Sequence, residues 1–152
     1  MKIGLAAVLA VSALCSCTED KPETEAYLPV TANNISGTWE LSEMNGTPLA
    51  DGAYVYLDIV RRDTEFTLYT NVGTFSADIF TGIFHVDEES GVVSGRYDHT
   101  LGDWNHSYHV TELTAGRMVW TATDDPSDVS VYVRVDGIPA DITGEDASGA
   151  EE

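Results

Sequence analysis

Between residues 35 and 135 apolar side chains recur at every second position, in short runs broken by Gly, Asn and Asp. A period of two sends successive side chains to opposite faces, so each run is an extended strand with one face to bury and one to wet. Eight runs can be counted, at 37–43, 53–61, 64–70, 75–86, 92–97, 104–113, 118–123 and 129–135. The links between them are brief and made of turn formers, such as Asn45-Gly46, Asp51-Gly52, Arg62-Asp63, Asn71-Val72-Gly73, Leu101-Gly102-Asp103 and Ala115-Gly116. No stretch carries a 3.6-residue period, and no internal repeat points to a propeller. Hairpin links make chain neighbours spatial neighbours. A sheet of eight such strands can bury its apolar face by folding into a sandwich or by closing on itself, and uniform short hairpins favour closure, which also removes its edges. The expected fold is therefore all-β, an eight-stranded antiparallel up-and-down β-barrel over residues 35–135. Roughly a hundred residues leave little interior room, so any cavity should be small.

The chain opens on Met1-Lys2, an apolar run over 3–14, and Leu14-Cys15-Ser16-Cys17. One cation, about a dozen apolar residues and a small-residue cleavage region form a secretory signal, since a membrane span needs roughly 20 apolar residues. The segment resembles a bacterial lipoprotein signal, with Leu14 three positions before Cys17 and small Ser16 directly before it. Acylation at Cys15 instead would put bulky Leu14 at the cut. Residues 1–16 are thus expected to be removed and Cys17 to carry the lipid, because two or more acyl chains anchor a protein stably. Glu19-Asp20 resembles the signal that sends some Gram-negative lipoproteins to the outer leaflet. The expected location is the outer membrane, lipid-anchored and exposed at the cell surface. Both cysteines fall in this segment, so no disulfide braces the barrel and its stability must come from a core.

Once Lys2 leaves with the signal, six basic residues face 26 acidic ones. Such an excess repels nucleic acid and anionic headgroups, leaving the acyl chains as the only membrane attachment. The acids crowd both ends. Residues 17–34 read as a flexible acidic tether and 136–152 as a disordered acidic tail, each too poor in apolar residues to offset ordering entropy. Asp141-Ile142-Thr143-Gly144-Glu145-Asp146 lacks the ligand spacing of a calcium loop.

Alternation groups the inward side chains as Trp39 with Leu41, Phe66 with Leu68, Phe80 with Gly82 and Phe84, His106 with Tyr108 and Val110, Met118 with Trp120, and Val131 with Val133. Core packing and pocket lining call for the same residue types. His106 and Tyr108 stand apart, because an inward polar group needs a partner and an unpaired one costs about 1–3 kcal/mol. Phe66, Phe84, His106, Tyr108 and Trp120 are therefore the ligand-lining candidates. His106 and His109 lie three apart on one strand and face opposite sides, so they cannot share a metal ion without a bulge. Asp87-Glu88-Glu89 and Asp124-Asp125 fall in turns, where acids serve turn formation and solubility. Hydrolytic chemistry would need Asp58 or Asp78 turned inward beside a histidine. No nucleophile set, phosphate loop or cofactor motif is present, and no enzymatic activity, metal or cofactor is expected.

Gly37-Thr38-Trp39 resembles the Gly-x-Trp motif that opens the first strand of the lipocalins, and the chain is more closely similar to short lipocalin-like lipoproteins of bacteria. Gly82-Ile83-Phe84, Val93-Ser94-Gly95 and Trp104 in step with Tyr108 and Val110 extend the likeness, which spans 36–135. The resemblance implies that Trp39 plugs the closed end of the barrel and that Arg134 packs across its ring, as a structural staple. It also implies a monomeric barrel that binds a small hydrophobic or amphipathic ligand, a sugar-derived one included. Against it stand the short loops at the mouth and the absence of a readable helix after the last strand. The alternative is an accessory module with a solid barrel whose acidic exterior meets a basic partner. Cavity size separates the two.

Overall fold

A computed structural model describes residues 25–144, apart from Phe75 and Thr100. Cys17, the signal, the start of the tether and the end of the acidic tail lie outside the described residues. Ten strands form one antiparallel sheet: β1 (Gly37–Met44), β2 (Thr47–Pro48), β3 (Val55–Val60), β4 (Glu65–Thr70), β5 (Asp78–Asp87), β6 (Val92–Tyr97), β7 (Gly102–Asp103), β8 (Tyr108–Thr111), β9 (Arg117–Ala122) and β10 (Val129–Arg134). β2 and β7 are two-residue flaps on β1 and β6. The other eight run in the order β1-β3-β4-β5-β6-β8-β9-β10, and β10 returns to pair with β1, so the barrel is closed. Every link joins chain neighbours, as hairpin connectivity requires. Asn45-Gly46, both at positive φ, make the tight turn from β1 to β2.

Strand polarity defines two ends. At the base lie the start of β1, the ends of β3, β5 and β10, and a one-turn helix α1 (Ala32–Ile35) capped by the Thr31 hydroxyl. At the mouth lie residues 49–54, 71–74, 76–77, 98–99, 101–107 and 123–128. Trp39, Ile35, Leu113, Met118 and Val93 are the most deeply buried side chains. Trp39 donates its indole N–H to the Ile35 carbonyl at 2.8 Å, and the Arg134 guanidinium lies 4.1 Å from the centre of its ring. Arg134 also donates to the carbonyls of Ala115 (2.6 Å), Ser36 (2.8 Å) and Asn34 (3.3 Å). The base is thus stoppered by an indole and sewn by one guanidinium. Gly37 belongs there for two reasons: its φ is +125°, and a Cβ would sit 2.0 Å from Arg134 Nη1.

Four expectations need correction. Val131 and Val133 do not point inward; Ser130, Tyr132 and Arg134 do, with Tyr132 opposite Leu41 and Arg134 opposite Trp39. A bulge at Ser42, whose hydroxyl donates to the Val131 carbonyl at 3.1 Å, shifts the β1 register so that Met44 faces inward opposite Ser130. The run 104–113 is not one strand, because 104–107 leave the ladder between β7 and β8. The end of the tether is part of the fold: Leu28 N–H donates to the Leu113 carbonyl at 2.7 Å, Val30 packs on the core, and Ile35 is fully buried. Finally, residues 140–143, placed in the unstructured tail, form one helical turn, α2 (Ala140–Thr143), closed by Gly144 in the left-handed region.

Candidate ligand-binding site

The upper half of the barrel is hollow. A cavity of about 330 Å³ is walled by Leu57 of β3, Phe66 and Leu68 of β4, Tyr97 of β6, Trp120 of β9, Ser130 and Tyr132 of β10, and Tyr108 at the start of β8, with Trp104, Asn105, His106 and Asp128 from the mouth segments. That volume lies at the lower end of the range for small-molecule sites.

Two glycines make room for its rings. Phe66 faces Gly82 across β4 and β5, where a Cβ would come within 2.7 Å of the phenyl ring. Trp104 lies over Gly95, where a Cβ would come within 2.3 Å of the indole. Because 104–107 are off the ladder, the Trp104 side chain folds inward over β6 while the backbone N–H of Trp104 still donates to the Gly95 carbonyl at 2.9 Å. The rings then form one continuous set. Phe66 meets Trp104 edge-on at 5.0 Å between centroids, Trp104 meets Trp120 at 6.0 Å, Trp120 meets Tyr108 at 5.5 Å, and Trp120 meets Tyr132 at 5.6 Å. Edge-on and tilted contacts of this kind each contribute about 0.5–1.5 kcal/mol beyond the area they bury.

The polar groups are few and uncharged, except at the rim. Burial, reinforced by the charge of Asp128, by Tyr97 and by the charge of Asp124, pushes the Tyr108 phenol up to about 12. Burial likewise raises the Tyr132 phenol well above its ordinary range, with Tyr108, Tyr97 and Asp128 adding to it. Both phenols are neutral at physiological pH, and neither hydroxyl bonds to a protein group among the described residues. His106 Nδ1 lies 2.7 Å from Asp124 Oδ1 at the rim. The Trp104 indole nitrogen is buried in the wall with no hydrogen-bond partner among the described residues, while that of Trp120 points at the Met118 sulfur, 3.1 Å away. Among the described residues neither Lys nor Arg lines the cavity.

Of the sequence-predicted lining residues, Phe66, His106, Tyr108 and Trp120 come together on this cavity and Phe84 does not. Phe84 is core, and its edge borders a separate groove of about 520 Å³ between β5–β6 and the segment 103–107. Gly37, Trp39 and Arg134 stand at the opposite end, as a staple. His109 is exposed on the outer face, away from His106. Asp58 faces outward and accepts from the Thr38 hydroxyl at 3.1 Å; Asp78 accepts from Thr74 at 2.7 Å. Sequence reasoning missed Tyr132, Ser130, Tyr97, Asp128 and Leu57. For Tyr132 and Ser130 a signal existed: placing Arg134 on Trp39 forces the even-numbered residues of the last strand inward.

Closure through β1 and β10, the indole stopper with its stacked arginine, and a cup at the other end match a known architecture. The fold is lipocalin-like. A crystal structure of a lipocalin-like protein from Bacteroides uniformis ATCC 8492 superposes with a TM-score of 0.50 at 12% identity, over 67% of this chain and 99% of that one. An NMR structure of a protein from the same organism superposes with a TM-score of 0.52 at 15% identity, over 71% and 94%. No family model matches the chain, and no curated protein is similar to it.

Proposed function

We propose that this lipocalin-like protein is a lipoprotein, anchored through Cys17 at the outer membrane and exposed at the cell surface, that binds a small hydrophobic or amphipathic ligand without transforming it. The observation that carries the reading is the aromatic cup of about 330 Å³ with a few polar groups converging on it. Affinity comes from apolar area removed from water, at about 25 cal/mol per Å², and the phenols, Ser130 and Asn105 set orientation. A solid-barrel accessory module would have side chains in that space.

The described chain enters the fold at the end opposite the cup. Leu28 docks at the base and follows Cys17 by 11 residues, a reach of at most about 40 Å. A chain anchored by a lipid on Cys17 would thus enter the fold from the base, on the side away from the mouth, with a tether long enough to leave the mouth open to the medium. Tethering also keeps a captured molecule near any importer in the same membrane. Native mass spectrometry of the protein purified from its own host tests the reading: a retained small molecule, released on unfolding, is expected. Repeated preparations with none, and no thermal shift from a panel of lipids, pigments and sugars, would contradict it.

A further inference from the structure

The cup has the chemistry of an aromatic cage. Trp104, Tyr108, Trp120 and Tyr132 are neighbours with centroids 5.5–6.4 Å apart, and the tilts between them, from 41° to 64°, keep their π surfaces out of a single plane. The negative faces of several such rings around one space attract a cation whose charge is spread over methyl or methylene groups, which loses little hydration on entry. Among the described residues the permanently charged groups at the space are acidic: Asp128 lines it, Asp124 is held at its rim by the imidazole of His106, and neither Lys nor Arg lines it.

We propose, building on the carrier reading, that the cup selects an organic ammonium cation, methylated or otherwise alkylated, over neutral and anionic molecules of the same shape. The tyrosines report the potential involved: after burial itself, Asp128 and Asp124 are among the causes that hold Tyr108 protonated, so a negative potential already opposes a new negative charge there. A carboxylate or phosphate would enter the same field with no cation to meet it. The Trp104 indole N–H is buried without a partner among the described residues, and the phenol hydroxyls, Ser130 and Asn105 are neutral donors that bring no positive charge to balance an anion.

The test compares three isosteres on the full chain made secreted and unacylated by Cys17→Ser: choline, its neutral carbon analogue neohexyl alcohol, and the anion tert-butylacetate. Isothermal titration at low salt should show choline binding at least about tenfold tighter than neohexyl alcohol, with tert-butylacetate weakest. The choline advantage should shrink several-fold in Asp128→Asn and in high salt. Equal binding of choline and the alcohol, or tighter binding of the anion, overturns cation selection while leaving the carrier reading in place. Binding of none of the three also overturns it, and the host-purified mass spectrum then judges the carrier reading separately.

Discussion

Arg134→Ala removes more than a charge. The guanidinium stacks 4.1 Å from the Trp39 ring and donates to carbonyls on both sides of the barrel seam, Asn34 and Ser36 before β1 and Ala115 before β9. The stacked pair contributes about 1 kcal/mol in a partly desolvated site. The three carbonyls lie at an exposed end and can rehydrate, so each bond counts at the low end, about 0.5 kcal/mol. The sum is about 2.5 kcal/mol, or a fall in Tm of about 10–20 °C for a domain of this size. Arg134→Lys keeps a cation over the ring but presents one nitrogen in place of a fork, and should lose about half as much. Urea unfolding followed by tryptophan fluorescence measures both, with an unchanged m-value showing that the barrel remains the unfolding unit. A midpoint for Arg134→Ala within about 0.5 kcal/mol of the parent would refute the staple argument.

Gly37→Ala should cost at least as much as Arg134→Ala, and the double variant less than the sum, since both changes disrupt the same contact; additive losses in a double-mutant cycle would count against it. Gly95→Ala should destabilise by about 1–3 kcal/mol by driving the indole of Trp104 off β6, read from the urea midpoint. Ser130→Ile projects into the cup, so ligand affinity should fall at least about tenfold while the midpoint holds or rises; weakened folding with intact binding would contradict the placement. Above neutrality stability should decline from about pH 10 to about pH 12, because the Tyr108 phenol ionises near 10 in the unfolded chain and at about 12 when folded, so the unfolded state holds fewer protons across that window. Tyr108→Phe should flatten part of that decline in Tm against pH, and an identical slope would argue against the assignment.

Period-two alternation made the barrel legible because a closed sheet imposes one rule, inward or outward, on most of its residues. It placed Trp39, Leu41, Phe66, Gly82, Phe84, Val110, Met118 and Trp120 on the inner face, where they are. It failed on β10 because hydrophobicity alone favours Val131 and Val133 for the inside, whereas a cup wants Ser130 and Tyr132 and a staple wants Arg134. Those valines instead line the half-buried outer wall beside Glu40 and Val119. The excursion at 104–107 was hidden for a related reason: Trp104, His106 and Tyr108 keep strand periodicity although the first two have left the ladder. Nor could alternation see a cavity, since aromatic residues that fill a core and those that surround a void look alike in a sequence. The docking of residues 28–35 rests largely on bonds to its backbone carbonyls and amides from Leu113, Trp39 and Arg134, which leave no trace in side-chain pattern, and on Val30, Ala32 and Ile35, too few apolar positions to stand out in a polar stretch.

Three tryptophans provide a direct test of the cup. Each contributes one indole N–H peak to a nitrogen–proton correlation spectrum, and titrating in the tightest binder from the ammonium, lipid, pigment and sugar panels should move the peaks of Trp104 and Trp120 while that of Trp39, locked on the Ile35 carbonyl at the base, stays in place. Saturable binding that leaves Trp104 and Trp120 unmoved would put the ligand elsewhere on the molecule and contradict the account.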